Sequence, residues 1–220
     1  MERDKNRTEF KKIAEFCRLE GKTVLEIGCG DGRFTGFLAA KAHRVFAIDP
    51  DEVRIRAARQ SVRNADIRIG SGENLQFENE SFDAVIFTFS LHHQDSRAAL
   101  TEAYRVLRPG GLVVILEPTP DGEVEQFFRL FNDETSVLNQ ALQAIQNSRF
   151  RPEKEEIFCT DWKFDNVQEI YNFDWGHSFP GSDPEIPEKM NALLGEKRFT
   201  SPICLKDKIR IFSLIKDEAS

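Results

Sequence analysis

Between residues 23 and 117, short and nearly unbroken apolar runs alternate with stretches whose apolar residues recur at helical spacing. The runs are Thr23 to Ile27, Arg44 to Ile48, Ile67 to Ile69, AVIFTF at 84 to 89 and LVVILE at 112 to 117. Helices are predicted over 33 to 41 and from Val53 to Arg63, the second opened by Asp49-Pro50-Asp51, since Pro after a capping Asp is a start signal. Leu100, Ala103, Tyr104 and Leu107 give a third stripe, capped by Asp95-Ser96 and stopped by Arg108-Pro109-Gly110-Gly111. A further helix, carrying Phe10, Ile13, Ala14 and Cys17 and closed by Gly21, precedes the first strand. Strands that are apolar on both faces, each followed by a helix, require a mainly parallel sheet covered on both sides.

After Glu117 the alternation breaks. Two consecutive helices are expected over 122 to 132 and 134 to 147. Strands at 156 to 164 and 208 to 216 are expected to join the sheet edge late, one of them antiparallel, and 176 to 187 (GHSFPGSDPEIP) reads as a loop. The expectation is one α/β domain with a doubly wound, mostly parallel, seven-stranded sheet. It divides into a core over 1 to 118, a helical lid or substrate region over 119 to 207, and a final strand and tail over 208 to 220.

Thirty Lys and Arg stand against 37 Asp and Glu, a formal charge of -7 that repels polyanions, so no nucleic-acid partner is expected. The four cysteines (Cys17, Cys29, Cys159, Cys204) form no C-x-x-C pair and have no His at ligand spacing, which suits reduced thiols and no bound metal. The charged start MERDKNRTEF and the short apolar runs predict no leader and no membrane span, hence a soluble cytoplasmic protein, monomeric or homodimeric.

The first strand runs into Gly28-Cys29-Gly30-Asp31-Gly32, at the edge where open α/β sheets bind ligands. A dinucleotide turn needs G-x-G-x-x-G/A with its helix N-terminus facing a pyrophosphate. Here the sixth position is Arg33, and the third glycine comes one residue early at Gly32. Glu26, two residues before Gly28, would repel a pyrophosphate and attract a cation. Asp49, 21 residues past Gly28, is placed either to accept hydrogen bonds from ribose hydroxyls or to cap the next helix. The turn therefore suits a ligand with an amino-acid head, a ribose and no phosphate.

VLEIGCGDGRFT resembles the first motif of the class I S-adenosylmethionine (SAM)-dependent methyltransferases, of the quinone and sterol type, and AIDP resembles their acidic second-strand end. IRIGSGENLQFENESFDAVIFTFSLHH and LRPGGLVVILEP resemble their third to fifth strands, so the likeness covers Thr23 to Pro118 in the family's order. The resemblance implies a small-molecule methyltransferase that binds SAM and releases S-adenosylhomocysteine. It places Glu26 near the methionine ammonium, Gly28, Cys29, Gly30, Asp31 and Gly32 around the methionine and ribose, and Asp49 on the ribose hydroxyls. Pro50 would meet the adenine, Gly72 and Glu73 its edge, and Phe89 and Ser90 the methionine end. Ser71 stands where many relatives carry Asp.

His92 and His93 follow the fourth strand, so either one is a general base for the acceptor or both shape the site. His177 could reach in from the loop or be idle. Phe127, Phe128, Phe131, Phe150, Trp162 and Trp175 would either line an apolar lid or form plain core. Two other functions fit the same residues: a SAM-binding regulatory protein without transferase activity, and a metalloid methyltransferase using Cys159 and Cys204.

Overall fold

The computed structural model describes residues 1–175 and 185–218. The chain opens with β1 (Glu2–Arg3) and α1 (Thr8–Phe16), followed by β2 (Thr23–Ile27), α2 (Arg33–Ala39), β3 (Arg44–Asp49), α3 (Glu52–Ser61) and β4 (Asp66–Ile69). Next come β5 (Phe82–Thr88), a 3₁₀ turn over Leu91–His93, α4 (Ser96–Val106) and β6 (Leu107–Pro118). The remainder is α5 (Glu123–Phe128), α6 (Thr135–Gln146), β7 (Arg151–Phe164), α7 (Val167–Asn172), α8 (Ile186–Leu194) and β8 (Ile203–Ile215). Two compact units result: a larger one of Phe10–Glu117, Asn139–Glu156 and Arg210–Ser220, and a smaller one of Met1–Glu9, Pro118–Leu138 and Ile157–Ile209.

In the larger unit, β6, β5, β2, β3 and β4 lie side by side in that order, all parallel, with Leu25 opposite both Phe46 and Val85. The pattern is the alternating α/β sheet expected, and its apolar strands supply a core in which Leu25, Val85, Phe87, Val113 and Ile115 meet Leu100 and Ala103 of α4. α3 and α4 begin at caps: Asp51 accepts from the N–H groups of Val53 and Arg54, and Asp95 from those of Arg97 and Ala98.

One expected stop signal acts otherwise. Arg108 to Gly111 lies inside β6, where four residues stand opposite the single residue Asp83, because Phe82 faces Leu107 while Ala84 faces Leu112. Gly110, at φ +74°, allows this irregularity, and the turn is fixed by Gly110 N–H donating to the Lys216 carbonyl and Lys216 N–H donating to that of Gly111. The Gly21 stop is likewise displaced: α1 ends at Phe16, and Gly21, at φ +77°, turns the chain into β2.

The smaller unit is aromatic at heart. Phe127, Trp162, Phe164 and Trp175 are almost fully buried, and the Phe127 and Trp175 rings stack at 5.1 Å. Five of the six aromatic residues expected to line a lid or core are thus core or core-packed here, and Phe150 belongs to the core of the larger unit. β1 pairs antiparallel with β7, which with β8 brings the described strands to eight, against the seven expected. β7 and β8 are longer than predicted, α7 and α8 were not predicted, and α8 begins at Ile186 inside the expected loop. His177 and most of that loop lie outside the described residues.

Candidate functional site

A cavity of about 410 Å³ opens in the larger unit at the carboxyl ends of β2, β3 and β5. Its wall takes in Gly28 after β2, Asp49 and Pro50 after β3, Ser71 to Glu73 after β4, and Phe89, Ser90 and His93 after β5. The parallel topology causes this convergence, since every strand points its carboxyl end to the same edge.

The glycine turn is shaped by lack of side chains. Gly28, Gly30 and Gly32 have φ of +77°, +55° and +91°, conformations that L side chains rarely adopt. A Cβ on Gly28 would lie 2.2 Å from Ser90 Cβ. Ser90 is itself tied to β2, its hydroxyl donating to the Ile27 carbonyl at 2.6 Å. The N–H groups of Gly28 and Cys29 both donate to the Ile48 carbonyl, so the turn is anchored on β3. Cys29 is a buried packing residue beside Ala47, Ile55 and Ala58, and burial pushes its thiol pKa up. Asp31 is exposed and, with Cys29, Gly30 and Gly32, outside the cavity wall.

Asp49 is 7% exposed and accepts the Gly30 N–H at 2.9 Å on one oxygen and the Asp51 N–H at 2.9 Å on the other. A carboxylate has about four acceptor sites, so two remain for a ligand. Capping of α3 falls to Asp51, which separates the two roles that the sequence left open for Asp49.

Glu26 is completely buried and is not in the cavity wall. It accepts hydrogen bonds from the Thr35 hydroxyl at 2.6 Å and the Thr88 hydroxyl at 3.2 Å. Desolvation pushes its pKa up to about 7, against the pull of those two hydroxyls and of Arg33.

On the far wall, Ser71 accepts the Glu73 N–H at 3.3 Å, and Glu73 accepts the Asp95 N–H at 2.6 Å, linking the loop after β4 to the start of α4. A Cβ on Gly72 would lie 2.2 Å from Gln94 Oε1, and Gln94 in turn donates to the Ser90 carbonyl at 3.0 Å. Phe89 holds the left-handed backbone at φ +56°, a strained state for a large side chain, fixed by its N–H donating to the Leu116 carbonyl at 2.9 Å.

The two histidines part company. His93 is exposed and lines the cavity, whereas His92 is buried with its Nδ1 against the Glu117 carboxylate. Glu117 also accepts the Leu91 N–H at 2.9 Å and so holds the whole 3₁₀ turn. Sequence reasoning missed Glu117 and Gln94. Glu117 carried a readable signal, a carboxylate ending an otherwise apolar strand, while Gln94 carried none.

Residues 25–115 match the family model described as a methyltransferase domain. A probable S-adenosylmethionine-dependent methyltransferase of Mycolicibacterium smegmatis is 34% identical over 110 residues, which is 50% of this chain and 42% of that protein. An uncharacterized methyltransferase of Schizosaccharomyces pombe is 27% identical over 86% of this chain and 78% of its own length. The chain thus spans under half of the first relative. Among solved structures, YcgJ of Bacillus subtilis aligns over 97% of this chain and 100% of its own at a TM-score of 0.69 with 18% identity. The [4+2]-cyclase SpnF aligns over 96% of this chain and 81% of its own at 0.64 with 16% identity. Residues 25–115 are thus similar to a methyltransferase domain, and the chain has the methyltransferase fold.

Proposed function

We propose that this chain transfers a methyl group from SAM to a small-molecule acceptor and releases S-adenosylhomocysteine. The observation that carries the reading is the single wall joining Gly28 and Ser90 to Asp49 and to Gly72 and Glu73 around about 410 Å³. The residues fit the cofactor: at Gly28 and Gly72 the wall has no room for a Cβ, and Asp49 keeps two acceptor sites for a diol.

In this reading Asp49 receives the ribose hydroxyls, and Pro50 with Ser71, Gly72 and Glu73 receives the adenine. Phe89 and Ser90 border the methionine end, and Cys29, Gly30, Asp31 and Gly32 set the backbone of the turn. Glu26, behind the wall, supplies negative charge for the ammonium. When bound, SAM supplies an electrophilic methyl whose positive charge disperses during an in-line displacement. The chain's part is to align the reactants and exclude water, which can supply most of the acceleration without a covalent catalyst. His93, at the cavity, is the better placed of the two histidines to take a proton from an O–H or N–H acceptor, and His92 keeps the turn in place. Residues 119–207 supply acceptor selectivity, and the four free thiols fit a cytoplasmic protein.

Incubation with methyl-labelled SAM and a panel of phenols, quinols, amines and thiols tests transfer, with labelled product and S-adenosylhomocysteine expected in equal amounts. Binding of SAM without turnover on any acceptor would favour a binding protein instead. The fold leaves room for that second reading, because SpnF shares it under the name of a cyclase. The metalloid reading weakens, since neither Cys159 nor Cys204 joins a metal-type cluster among the described residues.

A further inference from the structure

A second cleft of about 350 Å³ lies in the larger unit between α4 and the residues that end and follow α6, and it shares no lining residue with the Gly28 cavity. We propose that it binds a small organic phosphate through Arg97, Arg149 and Ser148, with Tyr104 as its floor.

Charge comes first. No Asp or Glu lines the cleft, and neither arginine has a carboxylate partner among the described residues. Near them, by contrast, Arg105 pairs with Glu102, Arg108 with Asp83 and Arg151 with Asp217, in a chain of net charge -7. Arg97 stands in the first turn of α4, where a cation opposes the helix dipole, so helix stability does not explain it.

The second observation is independent of charge. The Ser148 hydroxyl is shielded from solvent, yet it has no hydrogen-bond partner. Buried polar groups are nearly always satisfied, so a partnerless hydroxyl on a residue that lines the cleft can serve an acceptor bound there by turning about χ1. Two guanidinium groups and a hydroxyl suit a phosphate, whose several oxygens accept from planar donors in pairs.

The body of the ligand is addressed by the rest of the wall. Tyr104, half-buried, lies beneath the Arg149 guanidinium at 4.5 Å, and Leu100 and Ala144 complete an apolar side. The volume fits a single-ring molecule and falls in the range of small-ligand pockets.

Calorimetric titration with phenyl phosphate at low ionic strength tests the site, with phenol and inorganic phosphate as comparison ligands. The expected result is one saturable site for phenyl phosphate, weaker binding of inorganic phosphate and none of phenol. In the Arg97→Gln/Arg149→Gln variant, affinity should fall by about tenfold or more, and in Ser148→Ala by a few-fold. Both arginines are exposed, and an unchanged thermal transition would establish that the variant is folded. Absence of saturable binding, or equal binding by the double variant, would overturn the proposal. Inorganic phosphate binding as tightly as phenyl phosphate would overturn the part given to Tyr104 and the apolar wall. None of these readouts requires SAM, so they stand or fall apart from the proposed methyl transfer.

Discussion

Glu26 is a buried acid whose protonation should be visible in stability. Its folded pKa of about 7 lies above the ordinary 4.5, so the folded chain holds a proton that the unfolded chain releases. The sign follows: this contribution is fully present below pH 4.5 and is lost as pH rises through 7. The ligand-free protein should therefore lose stability, on the order of 3 kcal/mol from this group, across that window. Glu26→Gln should flatten the curve in urea titrations at several pH values; an unchanged slope would mean that Glu26 ionises freely. Gly28 is a second test at this scale. Gly28→Ala combines a positive φ with a Cβ 2.2 Å from Ser90 Cβ, so a loss of roughly 2–4 kcal/mol is expected by chemical denaturation. Both residues were legible in the sequence, because a carboxylate in a buried strand and glycines at alternate positions have few bland explanations. Glu117 carried a similar signal at the end of β6, but its role was not legible, since its partners Leu91 and His92 lie 26 and 25 residues away.

At the scale of elements, α4 connects the site to the sheet. Its cap Asp95 satisfies the N–H groups of Arg97 and Ala98, while its own N–H donates to Glu73 in the cavity wall. Asp95→Ala should cost about 1 kcal/mol in denaturation midpoint experiments, and no measurable cost would indicate a solvent-satisfied helix end. Elements with local signals were readable: the cap of α4, and the strands β2, β3 and β5 with their continuous apolar runs, whereas α3 is capped by Asp51 and not by the Asp49 that precedes Pro50. Elements made by pairing were not. β1 is two residues long and exists through its register with β7, and the start of β6 reads as a turn because Pro109, Gly110 and Gly111 imitate one. The helices α7 and α8 flank a segment rich in Gly, Pro and Ser, whose composition hid them.

For the whole molecule, the two compact units offer separate probes. Both tryptophans, Trp162 and Trp175, are buried in the smaller unit, so tryptophan emission excited selectively reports that unit. Trp175→Ala should destabilise that unit by roughly 3–5 kcal/mol, seen as an earlier transition in far-ultraviolet circular dichroism. The Gly28 cavity lies in the larger unit, and ligand there should raise the unfolding free energy by about 2.7 kcal/mol at a hundred times its dissociation constant. The most direct measurement is calorimetric titration of the chain with S-adenosylhomocysteine, above and below pH 7, beside the Asp49→Asn variant. One saturable site per chain is expected, tighter at the higher pH as Glu26 gives up its proton, and at least about tenfold weaker in the variant. Absence of binding by the unmodified chain at either pH would refute the cofactor site.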